Sequence, residues 1–204
     1  MQIDHLAISA PSLAEGAAAV EAVLGLALAA GGEHATMGTH NRLLSLGRGC
    51  YLEVIAVNPD APAPARPRWF DLDRFDGITR LTNWVARCDD LRREVALSPP
   101  GLGRIHDLAR GDYAWQMAIP DDGILPFDGC FPALIHWKGP QHPTDLLPDP
   151  GCRLRRLIVA HPQAKALAAA LQGRIADARL IIEPGREPAL RAELDTPHGP
   201  RVLT

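Results

Sequence analysis

The chain lacks most of the signals that would place it in a common functional class. Its 204 residues include four cysteines, Cys50, Cys88, Cys130 and Cys152, and none of them forms a CxxC pair. Cysteines spaced this widely argue against a disulfide framework or a thiolate zinc cluster and read as small buried hydrophobes. No apolar run is long and unbroken enough to span a bilayer. The opening MQIDHLAIS has neither a basic n-region nor a long apolar h-region, so no signal peptide is read there. A net charge of -3 and a pI near 6.2 give no bulk electrostatic reason to expect a nucleic-acid or membrane partner. The GxSxG elbow, the P-loop and the Rossmann glycine fingerprint are missing. The expectation is an ordinary cytoplasmic protein, long enough for one large domain or two small ones with a substantial core. Its wealth of Ala, Pro and Arg fits a GC-rich bacterial genome.

What is present is a repeated pattern. Gln2–Ala10 reads as a strand, and Leu13–Leu24 as a helix with Ser12 as N-cap and Gly25 as stop. Leu26–Ala30 is a short strand ending at Gly31-Gly32. His40–Leu46 and Cys50–Val57 are strands joined by a Gly47–Gly49 turn. The order β-α-β-β-β then recurs: strand Leu81–Arg87, helix Asp89–Ala96 capped by Asp89 or Asp90, paired strands Arg104–Arg110 and Tyr113–Ile119, and strand Cys130–Trp137. Between the two lies a proline-rich arm, Asn58–Arg68, leading to Trp69 and Phe70. A third start follows at Arg153, where RRLIVAHPQAKALAAALQG imitates the strand, proline, helix and glycine of the first. Repetition on this scale predicts a fold of duplicated units: residues 1–58, an arm over 59–80, residues 81–140, and a partial third unit over 152–204. In each unit a helix covers one sheet face and leaves the other to enclose something.

Two polar residues stand out against this pattern. His5 sits in the first strand and Glu53 in an otherwise apolar strand. A carboxylate there is costly unless it is paired or bound to metal. Pairing with Arg42 or Arg87 would make an anion-binding pocket, since arginine forks carboxylates and phosphates. Alternation sends His40 and Arg42 to one face of their strand and Asn41 to the other. His34 reads as surface in a glycine-rich loop. His106, His142, His161 and His198 read as exposed or at turns. Trp69, Trp84, Trp115 and Trp137 are divided between core and pocket wall, with Arg68 at the cleft mouth.

The runs IDHLAISAPSL, GGEHATMGTHNRLLSLGRGCYLEVIAVNPDAPAPARPRWF, GDYAWQ, PALIHWKG and TPHGPRVL carry a resemblance. The chain resembles the vicinal oxygen chelate superfamily, and more closely the glyoxalase-like domain proteins, over nearly its whole length. The resemblance implies an α+β fold of repeated βαβββ modules closing into a half-open barrel. It also implies a divalent metal on the concave face, with His5 and Glu53 as ligands from the first module. In the second module the matching first strand offers Asn83 or Trp84, and the last strand offers His136. Three such ligands plus water would suit Mn²⁺, Fe²⁺, Ni²⁺ or Zn²⁺. The activity implied is a glyoxalase-type lyase or isomerase acting on a small oxygenated metabolite. There the metal acts as a Lewis acid, Glu53 or His40 moves the proton, and Asn41, Arg42, Arg68, Trp69, Asn83, Trp84, Arg87 and Trp137 surround the substrate. Two other readings stand beside it: a ring-cleaving type of dioxygenase, and a metal-free protein that sequesters a small molecule. The expected partner is a small-molecule ligand, and the expected assembly a monomer or a homodimer.

Overall fold

The computed structural model describes residues 1–204. Twelve strands and three helices follow one another as β1 (Gln2–Ser9), α1 (Leu13–Leu24), β2 (Ala29–His34), β3 (Thr39–Ser45), β4 (Tyr51–Val57), β5 (Arg80–Arg87), α2 (Leu91–Ala96), β6 (Arg104–Arg110), β7 (Tyr113–Ile119), β8 (Ala133–Trp137), β9 (Arg153–His161), α3 (Ala164–Leu171), β10 (Leu180–Pro184), β11 (Ala189–Thr196) and β12 (Gly199–Leu203). No helix is long and apolar enough to cross a membrane.

The first eight strands form one sheet in the order β2-β3-β4-β1-β5-β8-β7-β6. Each half has the same wiring. The first strand of the module lies parallel to its last, β1 beside β4 and β5 beside β8, and the intervening helix makes the crossover. The halves meet where β1 pairs antiparallel with β5, so the first module pairs with the second. The sheet curls into the half-open barrel of the vicinal oxygen chelate fold, bringing its two edge strands, β2 and β6, close to one another.

Local chemistry explains the boundaries. The Ser12 hydroxyl accepts from the Glu15 backbone N–H, and Gly25 closes α1 in the left-handed region. Asp90, not Asp89, caps α2 by accepting from Arg93 N–H. The second strand runs further than the sequence suggests. It continues through Gly31-Gly32 to His34, with a register irregularity between Ala30 and Glu33 against β3. A Cβ on Gly31 would fall 2.1 Å from the Asn41 side-chain oxygen, and one on Gly32 would fall 3.0 Å from Arg110 Cδ. The glycine pair therefore admits two side chains against the strand rather than ending it.

The third unit shares the element order but not the wiring. Strand β9 lies between β10, parallel, and β11, antiparallel, in a separate sheet ordered β10-β9-β11-β12. Arg156 lies in that second sheet beside Glu193, 3.6 Å away. The second sheet is sewn to the first at both ends of β1 and β5. The Met1 ammonium donates to the Arg174 carbonyl, Ile3 N–H donates to Asp177, and Leu81 N–H donates to the Thr204 carbonyl. One continuous apolar core runs through both sheets.

Helix α1 lies so close to β4 that a Cβ on Gly16 would sit 2.5 Å from Ala10 Cβ and 2.7 Å from Val54 Cγ1. Ala is worth about 1 kcal/mol over Gly inside a helix, whereas overpacking a core costs about 1–3 kcal/mol. Gly16→Ala is therefore expected to destabilise the fold despite the better helix former, and urea denaturation would show a lowered midpoint. A raised midpoint would mean that α1 slides freely on the sheet.

Candidate functional site

The concave face of the sheet carries a partly open cavity with about 30 Å³ of free space, room for roughly one water. Its polar lining is His5, His34, Asn41, Tyr51, Glu53 and Arg110; its walls are Trp69, Phe70, Trp115, Met117, Ile135 and Trp137. The strand periodicity accounts for the first set. Asn41, Tyr51 and Glu53 project from the same face of neighbouring strands β3 and β4, and His5 lies beside Tyr51 across the parallel pair.

Asp4 belongs to this site although its neighbour His5 does too. In a regular strand adjacent side chains point to opposite faces. Here the β1–β5 register slips between Ile3 and His5, leaving Asp4 as the extra residue of a bulge. The Asp4 carboxylate is fully buried. It accepts from His5 Nδ1 at 2.7 Å, from Trp137 Nε1 at 3.0 Å and from His142 Nε2 at 3.1 Å. Burial pushes its pKa up, but the bonds from His142 and His5 outweigh this and hold the carboxyl well below its ordinary range. Asp4 is thus a charged acceptor that fixes the tautomer of His5: Nδ1 carries the proton, and Nε2 faces Glu53 Oε2 at 3.6 Å. Tyr51 stacks on the His5 ring at 4.4 Å and holds its plane.

Glu53 is anchored by Asn41, whose Nδ2 donates to Oε1 at 2.5 Å. The Asn41 oxygen accepts from Gly32 N–H and from Arg110 Nη1. The same Arg110 nitrogen donates to His34 Nε2 at 3.2 Å. Burial is the main force lowering the His34 pKa; Glu53 raises it, Arg110 lowers it, and the result is about 4. The ring is therefore neutral at pH 7, its Nε2 accepting from Arg110 and its Nδ1–H donating to the Thr39 hydroxyl. Trp69 lies edge-on to His34. Its indole N–H is buried and has no acceptor in the protein; such a donor costs about 1–3 kcal/mol if left unmade. Phe70 and Asp71, next along, both have positive φ, a strain that fixes Phe70 in the wall.

The structure gathers His5, Asn41, Glu53, Trp69 and Trp137 and leaves the other expected residues elsewhere. His136 alternates with Ile135 and Trp137 on β8, so it faces away from the cavity and donates through Nδ1 to the Cys88 carbonyl. His40 and Arg42 lie on the opposite face of β3 from Asn41, Arg42 being exposed. Arg68 ties the arm to Asp73 and the Gly38 carbonyl. Asn83 donates to the Gly129 carbonyl, Trp84 is core with its N–H on the Cys130 carbonyl, and Arg87 binds the Gly49 carbonyl and Gln2. No arginine pairs with Glu53; Asn41 and His5 do. The sequence reading missed Asp4, Tyr51 and Arg110, and took His34, His142 and His161 as surface or turn residues. His34 and His161 are buried, and His142 is a ligand of Asp4. The Gly31-Gly32 pair was the available signal for His34 and Arg110.

A zinc-type transition-metal ion takes three or four protein donors. Only His5 Nε2 and Glu53 face one another here, and no three His, Cys, Asp or Glu side chains converge. His34 Nε2 is taken by a guanidinium. The second module presents Trp115, Met117, Ile135 and Trp137 where further ligands would have to stand. The residues present do not fit a resident divalent ion.

Fold and site define a member of the vicinal oxygen chelate class whose chemistry is concentrated in its first module. The model of the glyoxalase-like domain family matches residues 3–175, and the chain belongs to that family. No curated protein matches it. Among solved structures, a hypothetical protein from Staphylococcus aureus is similar over 92% of this chain and 87% of its own, with 13% identity and a TM-score of 0.59. Methylmalonyl-CoA epimerase from Mycobacterium tuberculosis is similar over 68% of this chain and 88% of its own, with 16% identity and a TM-score of 0.43.

The His34 shift sets a pH dependence. A histidine with a pKa of about 4 in the fold and 6.5 outside it stabilises the fold fully above pH 6.5, and that stability is lost as pH falls toward 4. Between pH 7 and about pH 4.5 the loss is about 2 kcal/mol. Urea unfolding at the two pH values should show this loss in the wild type and most of it abolished in His34→Gln. Equal pH dependence in both would assign the acid sensitivity to another group.

Proposed function

We propose that this chain is an isomerase or lyase of the glyoxalase type that moves a proton on a small oxygenated metabolite without a bound metal. The observation that carries this reading is the Asp4–His5–Glu53 array inside an aromatic-walled cavity. Asp4 orients the imidazole so that Nε2 is free to exchange a proton. Glu53 has one oxygen held by Asn41 and the other directed at His5. Glu53 takes a proton from the carbon next to a substrate carbonyl, and His5, entering the step as the imidazolium with Asp4 as its counter-charge, gives its Nε2 proton to the carbonyl oxygen as charge builds there. Delivery of the Glu53 proton to the adjacent carbon of the enediol, with an enediol O–H proton returning to His5, completes an isomerisation; loss of a group from the neighbouring carbon, with the enol O–H proton returning to His5, completes an elimination.

A second reading, a metal-free protein that sequesters a small aromatic molecule, is supported by the wall of Trp69, Phe70, Trp115 and Trp137. Exchange kinetics separate the two. Wild-type protein, freed of metal by a chelator, is incubated in D₂O with a panel of 2-hydroxyketones and 2-hydroxy and 2-oxo acids, and loss of the α-proton signal is followed by NMR. The expected result is catalysed exchange, lowered about 10²–10⁴-fold in Glu53→Gln and in His5→Asn. Binding without exchange would favour sequestration. Exchange that appears only after a divalent metal is added back would overturn the metal-free mechanism.

A further inference from the structure

Arg110 is at the seam where the two edges of the curled sheet approach. It is part of the wall of the partly open cavity and also of an outer depression of about 470 Å³ bordered by Ala29, Leu43, Tyr113, Pro143 and Leu146. Whatever enters the cavity from that side meets the guanidinium first. Two features show that the position is built for this group. Gly32 leaves room for the arginine stem, since a Cβ there would lie 3.0 Å from Cδ and 3.3 Å from Nε. Both protein acceptors of Arg110, His34 Nε2 and Asn41 Oδ1, are reached through Nη1 alone, which leaves Nε and Nη2 uncommitted. Neither acceptor is a carboxylate. The cavity thus has a cation with no ionic partner in its lining and, on the wall residue Trp69, a buried indole N–H with no acceptor in the protein.

Both vacant functions are donors, and a planar anion with two acceptor oxygens satisfies them together. We propose that the metabolite is a small carboxylate, its anionic end gripped at the seam by Arg110 with the Trp69 indole N–H as a further donor, and that the Trp115 and Trp137 wall shifts to admit its carbon skeleton, since the free space at rest holds about one water. This rests on the proton-transfer reading of the site and gives it a substrate class. The arrangement also orients the ligand. Asn41 stands between Arg110 and Glu53, so a carboxylate held at the seam keeps its charge away from Glu53 while its α-carbon points toward Glu53 and His5.

The test uses the full-length chain and two matched probe pairs, mandelate with mandelamide and pyruvate with pyruvamide. Binding is read from quenching of the tryptophans that line the cavity, and α-proton exchange of mandelate from NMR in D₂O. The carboxylates are expected to bind about tenfold or more tightly than the amides. Arg110→Gln should abolish that preference, weakening the acids far more than the amides. Trp69→Phe should weaken both members of a pair alike, because an amide carbonyl also accepts from the indole. Circular dichroism and urea midpoints confirm that each variant is folded, and Arg110→Lys, which keeps charge without the fork, should restore part of the preference. Equal binding of acid and amide, an unchanged preference in Arg110→Gln, or no carboxylate binding at millimolar concentration would overturn the proposal. Carboxylate preference without exchange leaves the inference standing and removes the enzymatic reading. Exchange confined to neutral hydroxyketones does the reverse.

Discussion

The site depends on a single carboxylate removed from water. Asp4 is fully buried, and an isolated ionised carboxylate in such a place would cost far more than a domain can spare. It is tolerated because three N–H groups converge on it from separate parts of the chain: the next residue of β1, the end of β8, and His142 at the cap of the turn Pro143–Asp145. Asp4 therefore ties the first module to the last strand of the second and to the segment beyond. It also removes one degree of freedom from His5, since the ring must present Nε2 to the cavity as long as Asp4 is charged. Packing and proton chemistry meet in this one group.

From there a chain of polar contacts crosses the concave face. His5 faces Glu53; Glu53 is held by Asn41; Asn41 accepts from Gly32 on one edge strand and from Arg110 on the other. Asn41 uses both ends of its amide, which fixes its orientation without ambiguity. The edges of the sheet are thus joined by side chains where a closed barrel would be joined by backbone.

Much of the scaffold was legible in the sequence because it rests on local periodicity. Helix α1, its Ser12 and Gly25 ends, the two βαβββ units, and the placing of Asn41 opposite His40 and Arg42 all follow from spacing and caps. His5 and Glu53 were visible as polar residues in apolar strands. What was hidden depends on events spacing does not record. Asp4 reaches the site through a bulge that breaks alternation. His34 was read as surface because Gly31-Gly32 resembles a strand end, yet here it marks a close approach. Arg110 becomes a cavity residue only when the sheet curls and brings β6 to β2. His136 failed through register, since shifting a strand by one position exchanges its faces and puts Ile135 and Trp137 inside instead. The third unit copied the element order of the first two and still paired differently, because order alone does not specify which strands are neighbours.

The pseudo-symmetric wiring of the two modules is matched by no symmetry of chemistry. Every group in the cavity placed to carry a proton, and the aspartate that orients it, belongs to the first module, while the second supplies Trp115, Met117, Ile135 and Trp137 as shape. On the proposed proton-transfer reading, a duplicated scaffold has in this way separated reactivity from fit. Sequence drift in the second half can recut the outline of the cavity while the reacting groups stay as they are. Trp137 and Arg110 are the exceptions, since the first also donates to Asp4 and the second to His34 and Asn41. Descendants of such a chain would diversify in what they accept long before they change what they do to it.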